Sequence, residues 1–151
     1  MTRQRETSDH QVAEFSASMM VGAFIKRPAM YLGQPVRFDR VTAFASGYTM
    51  AIDQVREALS SNGAGGFRPV GVEAQFKAQL HEEGRLRWDR WDLTVAAEAI
   101  GWTDDQPPVI DDFTDEQHRA AIEHLRPLLE KMFALPGSFQ STRNPTRGAD
   151  A

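Results

Sequence analysis

Apolar residues recur at helical spacing along most of the chain, which predicts a mostly α-helical protein. The most regular stretch runs from Val41 to Leu59, where apolar positions advance by three or four residues at each step, as on one face of an amphipathic helix. Similar spacing predicts helices over residues 10–26 and 70–83 and from residue 114 onward. Alternating strand patterns do not recur often enough to build a sheet. We therefore predict a compact single-domain bundle of about five helices.

Helix ends are also marked in the sequence. Pro28 ends the first helix because the residue before a proline is pushed out of the α region, and Gly33 supplies permissive backbone to the loop that follows. Asp39 is a suitable N-cap for the next helix. Thr114 and Gln117 have the spacing of a capping box, in which each side chain binds a backbone amide of the other.

The region with two tryptophans in close succession predicts a fourth helix. Trp88, Trp91, Val95 and Trp102 fall on one helical face at steps of three, four and seven. The segment 86–93 could also begin as a short strand. The same spacing leaves two roles open for the tryptophans, as core residues or as an aromatic surface that binds a partner.

Length and composition set the class of protein. The chain has 151 residues and no cysteine, so one domain can bury a core without disulfides, and thiol chemistry is excluded. We predict a flexible arm over residues 1–9, a helical domain over 10–136 and a disordered tail over 137–151. The chain lacks a signal-type apolar run and any stretch near the roughly 18 apolar residues of a membrane span. A cytoplasmic protein without a membrane partner is the simplest interpretation.

Charge favours a basic partner over nucleic acid. The formal net charge is −4, but residues 6–142 carry 13 Lys and Arg against 20 Asp and Glu, a net charge of −7. Such a body repels phosphate and attracts a basic protein.

The sharpest charge feature is the connector between the last two predicted helices. Six acidic residues and no basic one lie between residues 104 and 116. We predict that the connector carboxylates attract the partner and that Trp88 or Trp91 anchors it. The carboxylates are those of Asp104, Asp105, Asp111 and Asp112.

Catalytic and metal-binding patterns are absent from the sequence. His118 and His124 are six residues apart and cannot chelate one ion from a helix. The sequence contains no nucleophile motif, and the glycines at residues 63–66 lack the lysine of a phosphate loop. We predict no catalytic residue, no metal and no cofactor, which makes an enzyme the weaker class.

The run Lys26–Gly33 joins two predicted helices and carries the most specific residue pattern in the chain. It resembles the start of the ATPase domain of type II topoisomerase B subunits. That family also needs a Glu and an Asn on the following helix and a later Asp-x-Gly-x-Gly loop. Here residues 44–53 have neither the Glu nor the Asn in place, and no such loop follows. ATP hydrolysis is therefore not expected.

A second resemblance covers more of the chain. The residues Arg27-Pro28-x-Met30-Tyr31-Leu32-Gly33, followed by Phe44 and Gly47-Tyr48, a tryptophan segment and a C-terminal helix, are similar to a group of small uncharacterised bacterial helical proteins. Proteins of that group occur beside toxin or defence genes, which implies an immunity or accessory role. The partner would then be a protein, such as a basic toxin.

Two functions follow as expectations. The first is a non-enzymatic binding protein that engages a basic partner through its acidic connector. The second is a small-molecule or nucleotide-binding enzyme or accessory subunit. Its ligand would be bound by the motif loop, composed of Arg27, Pro28, Met30, Tyr31 and Gly33 with Tyr48 beside it. The loop could equally be structural and lock two helices at a fixed angle.

Overall fold

A computed structural model describes residues 17–61 and 70–134 of the chain. Within these ranges the chain forms six α-helices and one 3-10 turn, with no strand, which confirms the predicted mostly α bundle. The helices are α1 (Ala17–Lys26), α2 (Pro28–Leu32), α3 (Phe38–Ser61), α4 (Val72–Glu82), α5 (Trp91–Ile100) and α6 (Asp115–Ala134), with the 3-10 turn at Ile110–Asp112. The predicted arm over residues 1–9 and tail over 137–151 lie outside the described residues.

Helix α6 is the centre of the bundle and packs against α1, α3, α4 and α5. Its apolar residues follow helical spacing, and Leu125, Leu129 and Met132 are fully buried. Burial of each such side chain contributes about 1.5–3 kcal/mol, so this stripe supplies much of the core. None of the helices in the described ranges combines the length and apolarity that crossing a bilayer requires.

A side chain on α3 fixes the start of α4. The backbone N–H of Val72 donates to both carboxylate oxygens of Asp53, at 3.0 and 3.2 Å. Gly71 precedes it, and a Cβ at that position would lie 2.9 Å from the Asp53 carboxylate. Asp53, a residue of the neighbouring helix α3, therefore accepts a free N–H at the start of α4, as an N-cap residue would.

Two boundaries differ from the predictions, and a third agrees. The predicted loop after Pro28 begins with the short helix α2, because proline suits the first helical position. Gly33 ends α2 with φ +72°, which confirms that its backbone needs glycine. Asp39 lies inside the first turn of α3 and pairs with Arg37, so it is not the N-cap.

The predicted fourth helix is shorter than expected. It begins at Trp91 and ends at Ile100, and residues 86–90 form neither helix nor strand. Trp88 and Asp89 both adopt positive φ, at 52° and 53°. A right-handed helix cannot pass through that backbone, so Trp88 is not on the helical face with Trp91.

Candidate functional site

The turn over residues 86–90, here called the tryptophan turn, is held by a buried threonine of α5. Thr94 Oγ1 accepts the backbone N–H of Arg87 at 2.8 Å and is also within bonding distance of the carbonyls of Arg87 and Arg90. The side chain of Thr94 is fully buried. These bonds compensate for the strained backbone of Trp88 and Asp89, since left-handed conformations cost about 1–3 kcal/mol each.

The tryptophan turn in turn fixes the acidic connector, residues 103–114. Two side chains of the turn donate to carbonyls of the connector and of the residue that precedes it. Arg87 donates to the carbonyls of Trp102 and Asp104 at 3.0 and 2.7 Å. The indole N–H of Trp88 donates to the carbonyl of Asp105 at 2.6 Å.

Two more hydrogen bonds lie at the start of the connector. The Trp102 indole N–H donates to the carbonyl of Gln106 at 2.7 Å, and the N–H of Gln106 donates to Asp104 Oδ1 at 3.0 Å. The Arg87 guanidinium lies 4.1 Å from the centre of the Trp88 ring, a cation–π contact. The carbonyls of residues 104–106 accept these side-chain hydrogen bonds, so the backbone at the start of the connector is fixed. The aspartate residues of the connector remain exposed.

The four predicted carboxylates differ in their pairing. Asp111 forms an ion pair with Arg37, which also binds Asp39. Desolvation raises the pKa of Asp39, but the hydrogen bond and charge of Arg37 lower it further, below its usual value. Within the described residues, no Lys or Arg lies within 4 Å of the carboxylates of Asp104, Asp105 or Asp112.

The far end of the connector is joined to α6 and α3. The capping box is confirmed: the N–H of Thr114 donates to Gln117 Oε1 at 2.9 Å, and the N–H of Gln117 donates to Thr114 Oγ1 at 3.2 Å. One turn further, buried His118 accepts the N–H of Phe38 at Nδ1, at 3.1 Å. Burial and then the positive charge of Arg37 lower the pKa of His118.

Asp104, Asp105 and Trp88 are therefore brought together, whereas Trp91 is separate from them. Trp91 is buried, packs edge-on against Phe76 and donates its indole N–H to Glu73 at 2.6 Å. Of the two roles left open for the tryptophans, Trp91 has the core role and is not available as a partner anchor.

The motif residues lie at another part of the bundle and are joined by aromatic rings. Tyr31 contacts Phe24 and Phe44, with ring centres 5.8 and 6.1 Å apart, and Phe24 stacks on Phe44 at 4.5 Å. Phe44 is followed by Tyr48, which contacts Phe133 of α6 at 4.9 Å. Tyr31 and Tyr48 thus belong to one ring series through Phe44.

A groove of about 330 Å³ lies beside this motif. Pro28 and the segment after Gly33 form one wall, and the first turns of α6 form the other. Its lining includes apolar side chains, among them Ile25, Val36 and Ile122, and also charged side chains, those of Asp115, Arg119 and Glu123. Met30 is 69% exposed and Arg27 is also exposed, so neither residue locks the motif in place.

A second cleft, of about 300 Å³, lies between α3, α4 and the start of α5. Its acidic groups, Asp39, Glu73 and Asp92, are each bound to an arginine or to Trp91. Among the described residues, no group of three His, Cys, Asp or Glu side chains is placed to hold a metal ion.

Sequence reasoning missed Arg87 and Arg37, the two cations that organise the connector. Arg87 is bonded to residues 15 and 17 positions away, and Arg37 to a residue 74 positions away. Contacts at those separations leave no local pattern in the sequence.

No protein-family model, curated protein or solved structure matches the chain. The resemblance to small bacterial helical proteins therefore stays a prediction.

Proposed function

We propose that the protein is a cytoplasmic, non-enzymatic binding protein that engages a basic protein partner through the acidic connector. The observation that carries this proposal is a set of exposed carboxylates without a basic partner, Asp104, Asp105 and Asp112. The backbone of Asp104 and Asp105 is fixed by bonds from Arg87 and Trp88. A cysteine-free chain suits a reducing compartment.

A fixed acidic surface is suited to binding because its charges need no ordering when the partner arrives. Charges on a mobile loop lose conformational freedom on binding, whereas those on a fixed backbone lose less. Exposed carboxylates also attract a basic partner over a distance of about 8–10 Å, the Debye length at moderate salt. The partner is of the toxin type if the bacterial resemblance is correct, and the protein then has an immunity role.

Trp88 adds an apolar element next to these charges. Its ring is partly buried and covered on one side by Arg87. Aromatic side chains beside charged groups commonly form the centre of a protein interface. We therefore assign the partner surface to Asp104, Asp105, Asp112 and Trp88, with Asp111 partly neutralised by Arg37.

The test is capture of a partner from the native host with two double variants of equal charge. Asp105→Asn with Asp112→Asn removes connector charge, and Glu82→Gln with Glu130→Gln removes the same charge from exposed helix positions. We expect the connector variant to weaken capture about tenfold or more, the control variant to bind like the unaltered protein, and added salt to weaken both. Binding that is indifferent to salt and to the connector variant would disprove the proposal.

A second function is favoured by the groove beside the motif. A groove of about 330 Å³ lined by apolar and charged side chains has room for a small organic ligand. The alternative is therefore an enzyme or accessory subunit that binds a nucleotide or similar molecule. A thermal-shift screen with nucleotides distinguishes the two, because a ligand that binds only the folded protein raises its Tm. The variant Ile122→Trp should fill the groove and abolish any such shift.

A further inference from the structure

Helix α3 presents an outward face that carries little charge. No Asp, Glu, Lys or Arg occurs from Val41 to Ile52, a stretch of more than three helical turns. Met50 and Val55 are 61% and 50% exposed. Helices on a protein surface ordinarily carry charged residues on the side that faces water.

Helix α6 of the same bundle shows the ordinary pattern. Its exposed positions include Glu116, Arg119, Glu123 and Glu130. The two helices share one core, so the difference concerns their outward sides alone. An exposed helix face whose middle, residues 41–52, carries no charge is typical of a contact surface.

Six exposed residues along this face have the spacing of a coiled-coil seam. They advance by three, four, three, four and three residues, the heptad rhythm that keeps side chains along one line between two helices. We call them the seam. The seam residues are Arg40, Ala43, Gly47, Met50, Gln54 and Glu57, and all are exposed.

The seam contains a glycine that the single chain does not explain. Gly47 lies in the middle of α3, where glycine destabilises a helix relative to alanine. A Cβ built at Gly47 would meet nothing within 4 Å. Packing within the described chain therefore does not require glycine, whereas close approach of a second helix does.

The order of the seam residues identifies the occupant. When a second copy of α3 is laid antiparallel, with the symmetry axis between Tyr48 and Thr49, the seam pairs position by position. Gly47 then faces Met50 of the other copy, so a residue without a side chain lies opposite a long one. Ala43 faces Gln54 in the next layer out.

The outermost layer is complementary in charge. Arg40 of each copy faces Glu57 of the other, which places opposite charges together at both ends of a contact about 26 Å long, at about 1.5 Å per residue. Within its own chain the Arg40 guanidinium donates to the carbonyl of Pro35 at 3.2 Å. A parallel arrangement would instead place arginine against arginine and glutamate against glutamate. Only the antiparallel pairing satisfies all three layers.

We propose that two copies of the chain associate through their α3 seams in an antiparallel, two-fold symmetric dimer. The contact is self-complementary and closes on itself, as expected for a homodimer. Tyr31, which is 44% exposed and whose ring lies 6.1 Å from that of Phe44 on α3, extends the apolar surface beside the seam. This proposal does not depend on the acidic connector.

The oligomeric state tests the proposal directly. Sedimentation velocity over a series of concentrations should show a dimer for the unaltered chain and a monomer for Met50→Arg, which places a charge in the central layer. Ala120→Arg, at an exposed position of α6, is the matched control and should remain dimeric. Circular dichroism confirms that each variant is folded. A monomer at every concentration would overturn the proposal, as would a dimer that Met50→Arg leaves intact.

Gly47→Ala separates the effect on the dimer from the effect on the fold. The added methyl favours the helix, so it should raise the Tm of the monomeric Met50→Arg variant. In the otherwise unaltered chain the same change should shift association toward monomer. If the change raises Tm and leaves association unaffected, Gly47 does not lie at the contact and the proposed register is wrong.

Disulfide trapping tests whether the two α3 helices are antiparallel. Because the chain has no native cysteine, only the introduced cysteines can form disulfides. Ala43→Cys and Gln54→Cys chains are mixed and oxidised. The antiparallel seam predicts mostly the mixed disulfide, whereas a parallel contact would give each variant linked to itself. Absence of any linked species overturns the proposal.

Discussion

Two joints between helices are fixed by different chemistry. The motif joint, residues 27–37, is held by aromatic rings. Phe24 stacks on Phe44, Tyr31 contacts both of them, and Tyr48 continues the series to α6. The acidic connector is held by hydrogen bonds from side chains to carbonyls, with Arg87 and Trp88 as donors. Apolar packing is insensitive to pH and non-directional, whereas the polar joint depends on geometry and protonation.

The motif joint and the acidic connector also differ in what they contribute to the protein. The motif joint has the most specific residue pattern, but several of its side chains are engaged in the core. The connector has no recognisable pattern, but it leaves charge exposed on a fixed backbone. A distinctive sequence motif can therefore mark a packing requirement, while a binding surface is formed by residues distant in sequence.

The largest effect is expected at the motif joint. Phe24 is 1% exposed and stacks on Phe44 at 4.5 Å. Phe24→Ala leaves a cavity between α1 and α3 and should lower the free energy of unfolding by about 3–5 kcal/mol. Urea denaturation followed by circular dichroism measures the change.

Met30→Ala is the control for that prediction. Met30 lies on α2 in the same joint but is 69% exposed. Its truncation should change stability by no more than about 0.5 kcal/mol. Equal losses for Phe24→Ala and Met30→Ala would show that the ring packing does not hold the joint, and Phe24→Leu gives a milder variant if the alanine protein does not fold.

The helices were predictable because their signals are local. The three- and four-residue rhythm after Val41 specifies α3, and Thr114 with Gln117 specifies the start of α6 through bonds three residues apart. The tryptophan turn was not predictable. A helical pattern continues through Trp88, but its backbone is left-handed, and the bonds that stabilise this conformation come from Thr94 and a distant carbonyl.

The same reasoning explains which parts of the candidate site were found. The acidic residues were evident from composition, since six occur between residues 104 and 116 without a basic residue. Their differing pairing was not evident, because Asp111 meets Arg37 from the opposite half of the chain. Charged residues can be counted in a sequence, but the fold must be known to tell which of them are neutralised by residues distant in sequence.

A smaller effect is expected when the polar joint loses its main donor. Arg87→Ala removes two hydrogen bonds from a charged group to carbonyls and the contact with Trp88. We expect a loss of about 1.5–3 kcal/mol in the free energy of unfolding. Arg90→Ala is the matched control, because Arg90 is 60% exposed and pairs only at the surface with Asp92, so its removal should cost about 0–1 kcal/mol. Equal effects of the two variants would mean that Arg87 does not fix the connector.

The smallest effect is a dependence on pH that only the polar joint should show. His118 accepts the N–H of Phe38 at Nδ1, so it must be neutral there, and the bond is worth about 0.5–1.5 kcal/mol. Burial and the charge of Arg37 lower the pKa of His118, although Asp39, Asp115 and Asp111 act in the opposite direction. The unfolded chain therefore binds a proton more readily than the folded one, and stability is lost as pH falls below the unfolded value of 6.5.

His118→Asn isolates this effect, because the asparagine oxygen can accept the same N–H without titrating. Urea denaturation measures the free energy of unfolding at pH 8 and at pH 5.5. Between these pH values His118→Asn should lose less stability than the unaltered protein, and at pH 8 the two proteins should have similar free energies of unfolding. His124→Asn serves as the control, since His124 is more exposed and its Nε2 contacts Glu98 instead. His124 does not accept the N–H of Phe38, so removing that histidine should not reduce the loss at low pH. If the asparagine variant at residue 118 loses as much stability as the unaltered protein, the bond to Phe38 does not control the pH response of this joint.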